Sequence, residues 1–449
     1  MTRCRMKRHI HFLRVQWDAV TTSFWFVPAL MGLAATWMAA LIPTLDGAVG
    51  EDAHWLVYVG VPNDARDIVG TLLASMITMT SLVFSITMVV LTLAASQFGP
   101  RLARNFMASR RTQFVFGTYV MTITFCLLLY GSIGWRQGDG PHPYVSVSIS
   151  IGLTLLSVAL LILHVHGLAR SLVSETVIEL VGKELDDGIT NLEPLEGGAG
   201  KDPEAALPAD FQENAAFCGL RRGGYVQTIE FDELIDAARS AGVLVALRFR
   251  AGDYVVEGGR DIAVHPADQI GPELRDAIAR AFTIGPKRTP VQDLEFSIRH
   301  LVEVAVRALS PGINDPYTAV AVIDRLSASL ARLMSRALPR GVLTDETGEI
   351  RVIWKRPTYG SLIGAAFRQI RQNGGDKPLV LLHLLAAIQR LAPHVRTESQ
   401  RDALNDELRT IAKTARREIK EPADLARVEQ HVRAASEALG ESETSLRQS

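Results

Sequence analysis

Long apolar runs dominate the chain up to about His166, and beyond that point charged residues recur every few positions. Four runs reach the roughly 20 residues with which an α-helix crosses a hydrocarbon core, at approximately 23–45, 68–96, 114–135 and 144–164. The pattern predicts a membrane α-helical block of about four transmembrane helices over residues 1–170. Arg3, Arg5, Lys7, Arg8 and Arg14 precede the first run, as they would in a signal peptide. That run is longer than a signal core and ends in no clear cleavage site, so it reads as a retained span.

Lys and Arg collect in the N-terminal arm and in the loop carrying Arg101, Arg104, Arg110 and Arg111. The first hairpin loop is acidic instead, with Asp46, Glu51, Asp52, Asp64 and Asp67 against Arg66, and the third holds only Arg136, near Asp139. By the positive-inside rule both termini are cytoplasmic, and the expected location is a bacterial inner membrane. Trp17, Trp25, Trp55, Tyr58, Trp135 and Tyr144 fall near the expected interfaces, where amphipathic rings prefer to sit.

The second run is rich in hydroxyls. Thr71, Ser75, Thr78, Leu82, Ser85, Val89, Thr92 and Ser96 recur in alternating steps of four and three, which places them on one stripe of a helix. Two readings stand. Small hydroxyl residues let membrane helices pack closely, or several subunits turn the stripe toward a central pore. No position on it is charged, which argues against a proton relay or a charged selectivity ring within the membrane. The run ends in Ser96-Gln97-Phe98-Gly99-Pro100-Arg101, where Gly-Pro stops a helix. Arg101 and Arg104 would then line the cytosolic mouth of a pore, or simply anchor the span at the headgroups.

Past the membrane block the pattern predicts a cytosolic α+β domain that is mostly helical. Residues 171–208 read as a connecting helix and a Pro/Gly/Ala linker, 209–270 as a small α+β module, and 271–449 as mainly helical with a hairpin near 342–354. Within the module, 224–230, 243–249, 254–257 and 261–265 read as strands and 231–240 as a helix. Residues 272–282 read as one amphipathic helix. Leu294, Ile298, Leu301, Ala305 and Leu309 form the apolar stripe of another, stopped at Ser310-Pro311-Gly312. Asp315 is a fitting N-cap for the next helix, with Pro316 in its first position. Thr397 and Gln400 suit a capping box.

Composition narrows the function classes. The chain of 449 residues has a formal net charge of −1, and no stretch is basic enough for a nucleic-acid binder. Cys4, Cys126 and Cys218 lie far apart, which suggests neither a disulfide framework nor a structural zinc site. His164 and His166 diverge on a helix, and no nucleotide-binding loop, nucleophile elbow or zinc-protease motif is present. No catalytic residue, metal ligand or cofactor is therefore expected.

Two longer motifs carry a resemblance. Ser96–Arg101, and Arg307-Ala308-Leu309-Ser310-Pro311-Gly312-Ile313-Asn314-Asp315-Pro316 followed by Thr318-Ala319, resemble a widespread bacterial family known only as predicted membrane proteins of unknown function. Arg288-Thr289-Pro290-Val291-Gln292-Asp293 and Gly224-Tyr225-Val226-Gln227 are similar to it as well, while Ser297 stands where the family pattern has glycine. The resemblance spans nearly the whole chain. It implies the architecture and brings no activity or catalytic residues.

Arg288, Gln292, Asp293, Arg307, Asn314 and Asp315 form the candidate polar site of the soluble part. They would position a small anion, or else build a buried polar turn in which Asn314 and Asp315 satisfy backbone donors and Arg307 pairs with a carboxylate. Three functions remain open at this point. The leading expectation is a homo-oligomeric channel or transport-like protein in the lipid bilayer, with a cytosolic regulatory domain. The second is a non-conducting sensor or scaffold that binds a protein or small ligand through that domain, and the last a membrane-tethered enzyme.

Overall fold

The four apolar runs form helices in a computed structural model, which describes residues 25–46, 62–98, 110–135, 143–171, 174–195 and 206–440. They are α1 (Phe26–Asp46), α2 (Pro62–Phe98), α3 (Arg110–Trp135) and α4 (Tyr144–Ser171). The segments Asp64–Leu93, Arg110–Ile133 and Tyr144–Leu168 are long and apolar enough to cross a membrane, and α1 has a shorter apolar stretch, Phe26–Ile42. The basic N-terminal arm, Trp17, the loop at 47–61, Arg101 and Arg104 lie outside the described residues.

The chain divides into two compact units, 1–173 and 174–449. Within the first unit, α3 packs on α1 and α2, and α4 packs on α3. Small residues allow this: a Cβ on Gly117 would lie 2.4 Å from Met31 Sδ, and one on Gly32 would lie 3.3 Å from Val120 Cγ1. Close approach of this kind replaces the hydrophobic drive that lipid tails cannot supply. Ala35, Val69, Phe125, Leu129 and Val147 fill one shared core, and Met76, Val83, Phe116 and Tyr119 a second.

The second unit opens with α5 (Ser174–Thr190) and a one-turn α6 (Phe211–Asn214). There follow β1 (Ala216–Cys218), β2 (Gly224–Ile229), α7 (Phe231–Ala241), β3 (Leu244–Leu247), β4 (Tyr254–Val255) and β5 (Ile262–His265). Next come α8 (Pro272–Arg280), β6 (Phe282–Gly285), α9 (Leu294–Ala308) and α10 (Pro316–Leu333). The chain continues through β7 (Val342–Thr344), β8 (Ile350–Trp354), α11 (Tyr359–Asn373), α12 (Pro378–Leu391), α13 (Glu398–Glu418) and α14 (Pro422–Leu439).

Five strands pair in the order β1-β5-β3-β8-β7, and three in the order β4-β2-β6. Both sheets reach past residue 270. The β7–β8 hairpin joins through a parallel pairing of Val245 with Val352, and β6 pairs Phe282 with Ile229. The helix expected over 272–282 therefore ends at Arg280, because Phe282-Thr283-Ile284 are aromatic and β-branched and suit an edge beside β2 better than a helix end. Val226, Val245, Ile262, Val264, Ile278 and Val352 bury the faces of the sheets.

From α9 to α14 each helix packs chiefly on the one two further along, with α9 also against α10 and α13 against α14, and α5 lies against α9 and α10. Leu301, Leu326, Phe367, Leu384 and Leu408 are fully buried there. Asp293, Asp315 and Thr397 each cap a helix with their side chains, and Gln400 completes the capping box with Thr397. The start of the expected linker is tied down, since Glu193 and Leu195 bond to Ala337 and Ser335; residues 196–205 lie outside the described residues.

Candidate functional site

On α2 the buried positions are Ala65, Val69, Met76 and Val83. At 100° per residue they form one line, and the hydroxyl stripe runs roughly 145° away from it. Thr71, Ser75, Thr78, Leu82, Ser85, Val89 and Thr92 are all exposed; the side chain of Ser96 lies outside the described residues. Only 11% of the apolar stretch of α2 is buried within the chain, against 50% for α3. Of the three long apolar segments, the most hydroxyl-rich is thus the one least covered by the described residues.

Four stripe hydroxyls donate to the carbonyl one turn back: Thr71 to Asp67 at 2.8 Å, Ser75 to Thr71 at 2.8 Å, Thr78 to Ala74 at 3.0 Å and Thr92 to Met88 at 2.9 Å. Such bonds let a hydroxyl sit in hydrocarbon without water. Ser81 and Ser85, near mid-helix, make no hydrogen bond among the described residues.

The inner side of α2 carries a polar contact of its own. Thr87 Oγ1 lies 3.0 Å from Nε2 of the buried His164 on α4, whose ring meets Phe116 edge-on. Asp46, at the end of α1, is buried and accepts from the Val145 and Ser146 amides at 2.8 and 3.2 Å and from the Ser146 hydroxyl. It caps α4 from another helix, where the amide dipoles favour a negative charge. Replacing Asp46 by Ala is expected to cost about 2 kcal/mol, because buried donors lose their acceptor. Thermal unfolding of the detergent-solubilised protein would show it, with Asp46→Asn closer to wild type. Equal stability of wild type and Asp46→Ala would remove the capping role.

The polar residues of the second unit divide between the two ends of α9, about 21 Å apart for a 15-residue helix. At the first end, Arg288 grips the buried Asp293 through Nε at 2.9 Å and Nη2 at 2.6 Å, while Asp293 accepts from the Phe296 amide at 3.1 Å. Burial pushes the Asp293 carboxyl up, against the pull of Arg288. Gly252, at φ +92°, fits beneath this pair, since a Cβ there would lie 2.0 Å from Asp293 Oδ2. Gln292 pairs with both backbone groups of Ile229, at 2.9 and 3.2 Å, as a strand neighbour would. Next to them the buried Glu295 holds Arg250 and Arg299.

At the other end, Arg307 reaches Glu303 at 3.3 Å. Asn314 takes φ +50°, Ser310 accepts its amide at 2.8 Å, and Asp315 caps α10 through the Tyr317 and Thr318 amides. Asp315 meets the expected turn role through its side chain and Arg307 finds its carboxylate, whereas Asn314 contributes its left-handed backbone and its amide rather than a side-chain bond. The two halves of the candidate polar site do not meet.

Sequence reasoning missed three of these positions. Glu295 was legible four residues before Arg299, as an i,i+4 pair. Asp46, and Asp186 on α5, which accepts from Arg325 and Ser329 of α10, had no local signal, because their partners lie about a hundred residues or more away in sequence.

The family model described as Predicted membrane protein (DUF2254) matches residues 21–390, which include both apolar helices and motif turns. The chain belongs to this family. Uncharacterized proteins of Mycobacterium bovis and Mycobacterium tuberculosis are each 31% identical to it over 422 residues, covering 92% of this chain and 80% of the relative. No solved structure matches. Family membership makes the chain a membrane protein and leaves its activity open.

Proposed function

We propose that the chain is one subunit of a homo-oligomeric channel or transport-like protein, with the α2 hydroxyl face turned toward the symmetry axis. In this reading α1 to α4 all span a bacterial inner membrane, both termini are cytoplasmic, and the second unit is a cytosolic regulatory domain. The observation that carries it is the exposure of the stripe from Thr71 to Thr92, on the side of α2 that no described helix of the chain covers. From Thr71 to Thr92 it extends about 32 Å, close to the thickness of a hydrocarbon core.

The test is conductance of the purified protein in planar bilayers, with its mass in detergent measured alongside. An oligomer should conduct, and Ser85→Leu or Thr92→Leu should change unitary conductance several-fold. A monomer without ion permeability overturns the proposal. An oligomer without ion flux assigns the stripe to dry helix packing and favours the sensor or scaffold reading.

A further inference from the structure

The β1–β2 loop and the β4–β5 turn enclose an open cavity of about 580 Å³, within the size range of small-molecule sites. The two loops touch through their backbones: the Gly258 amide donates to the Leu220 carbonyl at 2.9 Å. Three guanidiniums stand on the wall, Arg221 and Arg260 from the loops and Arg275 from α8, against one carboxylate, Glu257.

Arg221 is neutralised by Asp276. Among the described residues neither Arg260 nor Arg275 forms an ion pair. Arg260 instead lies 4.5 Å from the centroid of the Phe217 ring, and Arg248 lies 4.7 Å from the same centroid. Two guanidiniums gathered on one ring repel each other. The neighbouring Asp261, whose carboxylate sits over Gly259, is not within ion-pair distance of either. Stacking holds the Arg260 fork in place, which lowers the cost of ordering it around an anion.

We propose that this cavity binds a small phosphorylated molecule of nucleotide size, with Arg260 and Arg275 as its phosphate ligands. Guanidinium forks match phosphate oxygens bidentately, and the volume is far larger than a lone phosphate needs. The inference does not depend on whether the membrane unit conducts, because binding is measured without flux.

The experiment titrates the full-length protein in detergent with ADP, pyrophosphate and adenosine by calorimetry. A parallel flotation assay uses phosphatidylcholine vesicles with and without phosphatidylinositol 4-phosphate. ADP and pyrophosphate should bind saturably and adenosine should not. Arg260→Ala and Arg275→Ala should each weaken binding roughly tenfold or more. Both side chains are exposed, and Arg275→Glu, on the outer face of α8, provides a variant that leaves the Phe217 stack intact. Binding confined to the phosphorylated vesicles, and lost in Arg275→Glu, would keep the phosphate chemistry and assign its source to a lipid headgroup. Absence of saturable binding at about 1 mM of every phosphate probe, or binding indifferent to both arginines, overturns the proposal. So does adenosine binding as well as ADP.

Discussion

Replacing Asp186 by Ala is expected to lower the thermal transition of the C-terminal unit by on the order of 10 °C. Asp186 on α5 is buried against α10, where it takes Arg325 at 2.7 Å, Arg332 at 2.9 Å and the Ser329 hydroxyl at 2.7 Å. Arg332 is exposed and contributes little, but the Arg325 side chain is only 13% accessible. Removing the carboxylate leaves that guanidinium with Ser329 and the exposed Glu179, 3.2 Å from its Nε, which screens the lost charge only weakly, so the cost is about 3 kcal/mol. Hydrogen exchange should rise first in α5, which joins the helical layer through this clamp and a buried apolar face of Val177, Val181, Leu185 and Ile189. Gly182 adds a second handle, since a Cβ there would lie 2.2 Å from Arg325 Nε. Gly182→Ala should therefore displace Arg325 and reproduce part of the effect.

The same carboxylate sets a pH dependence. Burial pushes Asp186 up, but the hydrogen bonds from Arg325 and Ser329 and the charges of Arg325 and Arg332 outweigh it and hold its pKa below the usual value. A group whose folded pKa is depressed stabilises fully above its unfolded pKa, about 3.9, and loses that contribution as pH falls through the folded pKa. The stability gap between wild type and Asp186→Asn should be full near neutrality and narrow below about pH 4. A constant gap across that window, or unchanged exchange in α5 of Asp186→Ala, would dismiss the clamp.

The apolar helices, the turn from α9 into α10 and the caps at Asp293, Asp315 and Thr397 were legible because each depends on residues close in sequence. Periodicity marks a helix face, and Asp-Pro or Thr-x-x-Gln marks its start. The stripe on α2 was legible for the same reason, but its direction was not. Which side of a helix faces inward depends on where Met76 and Val83 find partners on the other spans. The strand β6 was hidden because its first residue, Phe282, looks like the tail of the helix before it until Ile229 pairs with it. Adjacency also misled: Arg288 and Arg307 flank one helix, and a straight 15-residue helix keeps its ends apart.

The arginine cavity was invisible in the sequence, since it forms only where two glycine-bearing loops meet. That meeting predicts a strong effect of one methyl group. A Cβ on Gly219 would lie 2.3 Å from the Gly259 carbonyl oxygen, 2.4 Å from the Gly258 carbonyl carbon and 2.5 Å from the Gly259 nitrogen. All three are backbone atoms, so no flexible side chain can yield, and Gly219→Ala must push the loops apart. It is expected to cost about 3 kcal/mol, the upper range for overpacking, and to abolish the cavity. Gly258 provides the contrast. Its φ of +68° is left-handed and an added Cβ meets nothing within 4 Å, so Gly258→Ala pays only backbone strain, about 1 kcal/mol. Unfolding of the two variants side by side should rank Gly219→Ala as the more damaging, with phosphate-probe binding lost in it and retained in Gly258→Ala. The reverse ranking would mean that the loops are held by the handedness of the turn rather than by their contact, and the cavity wall would then have to be explained by Gly258 alone.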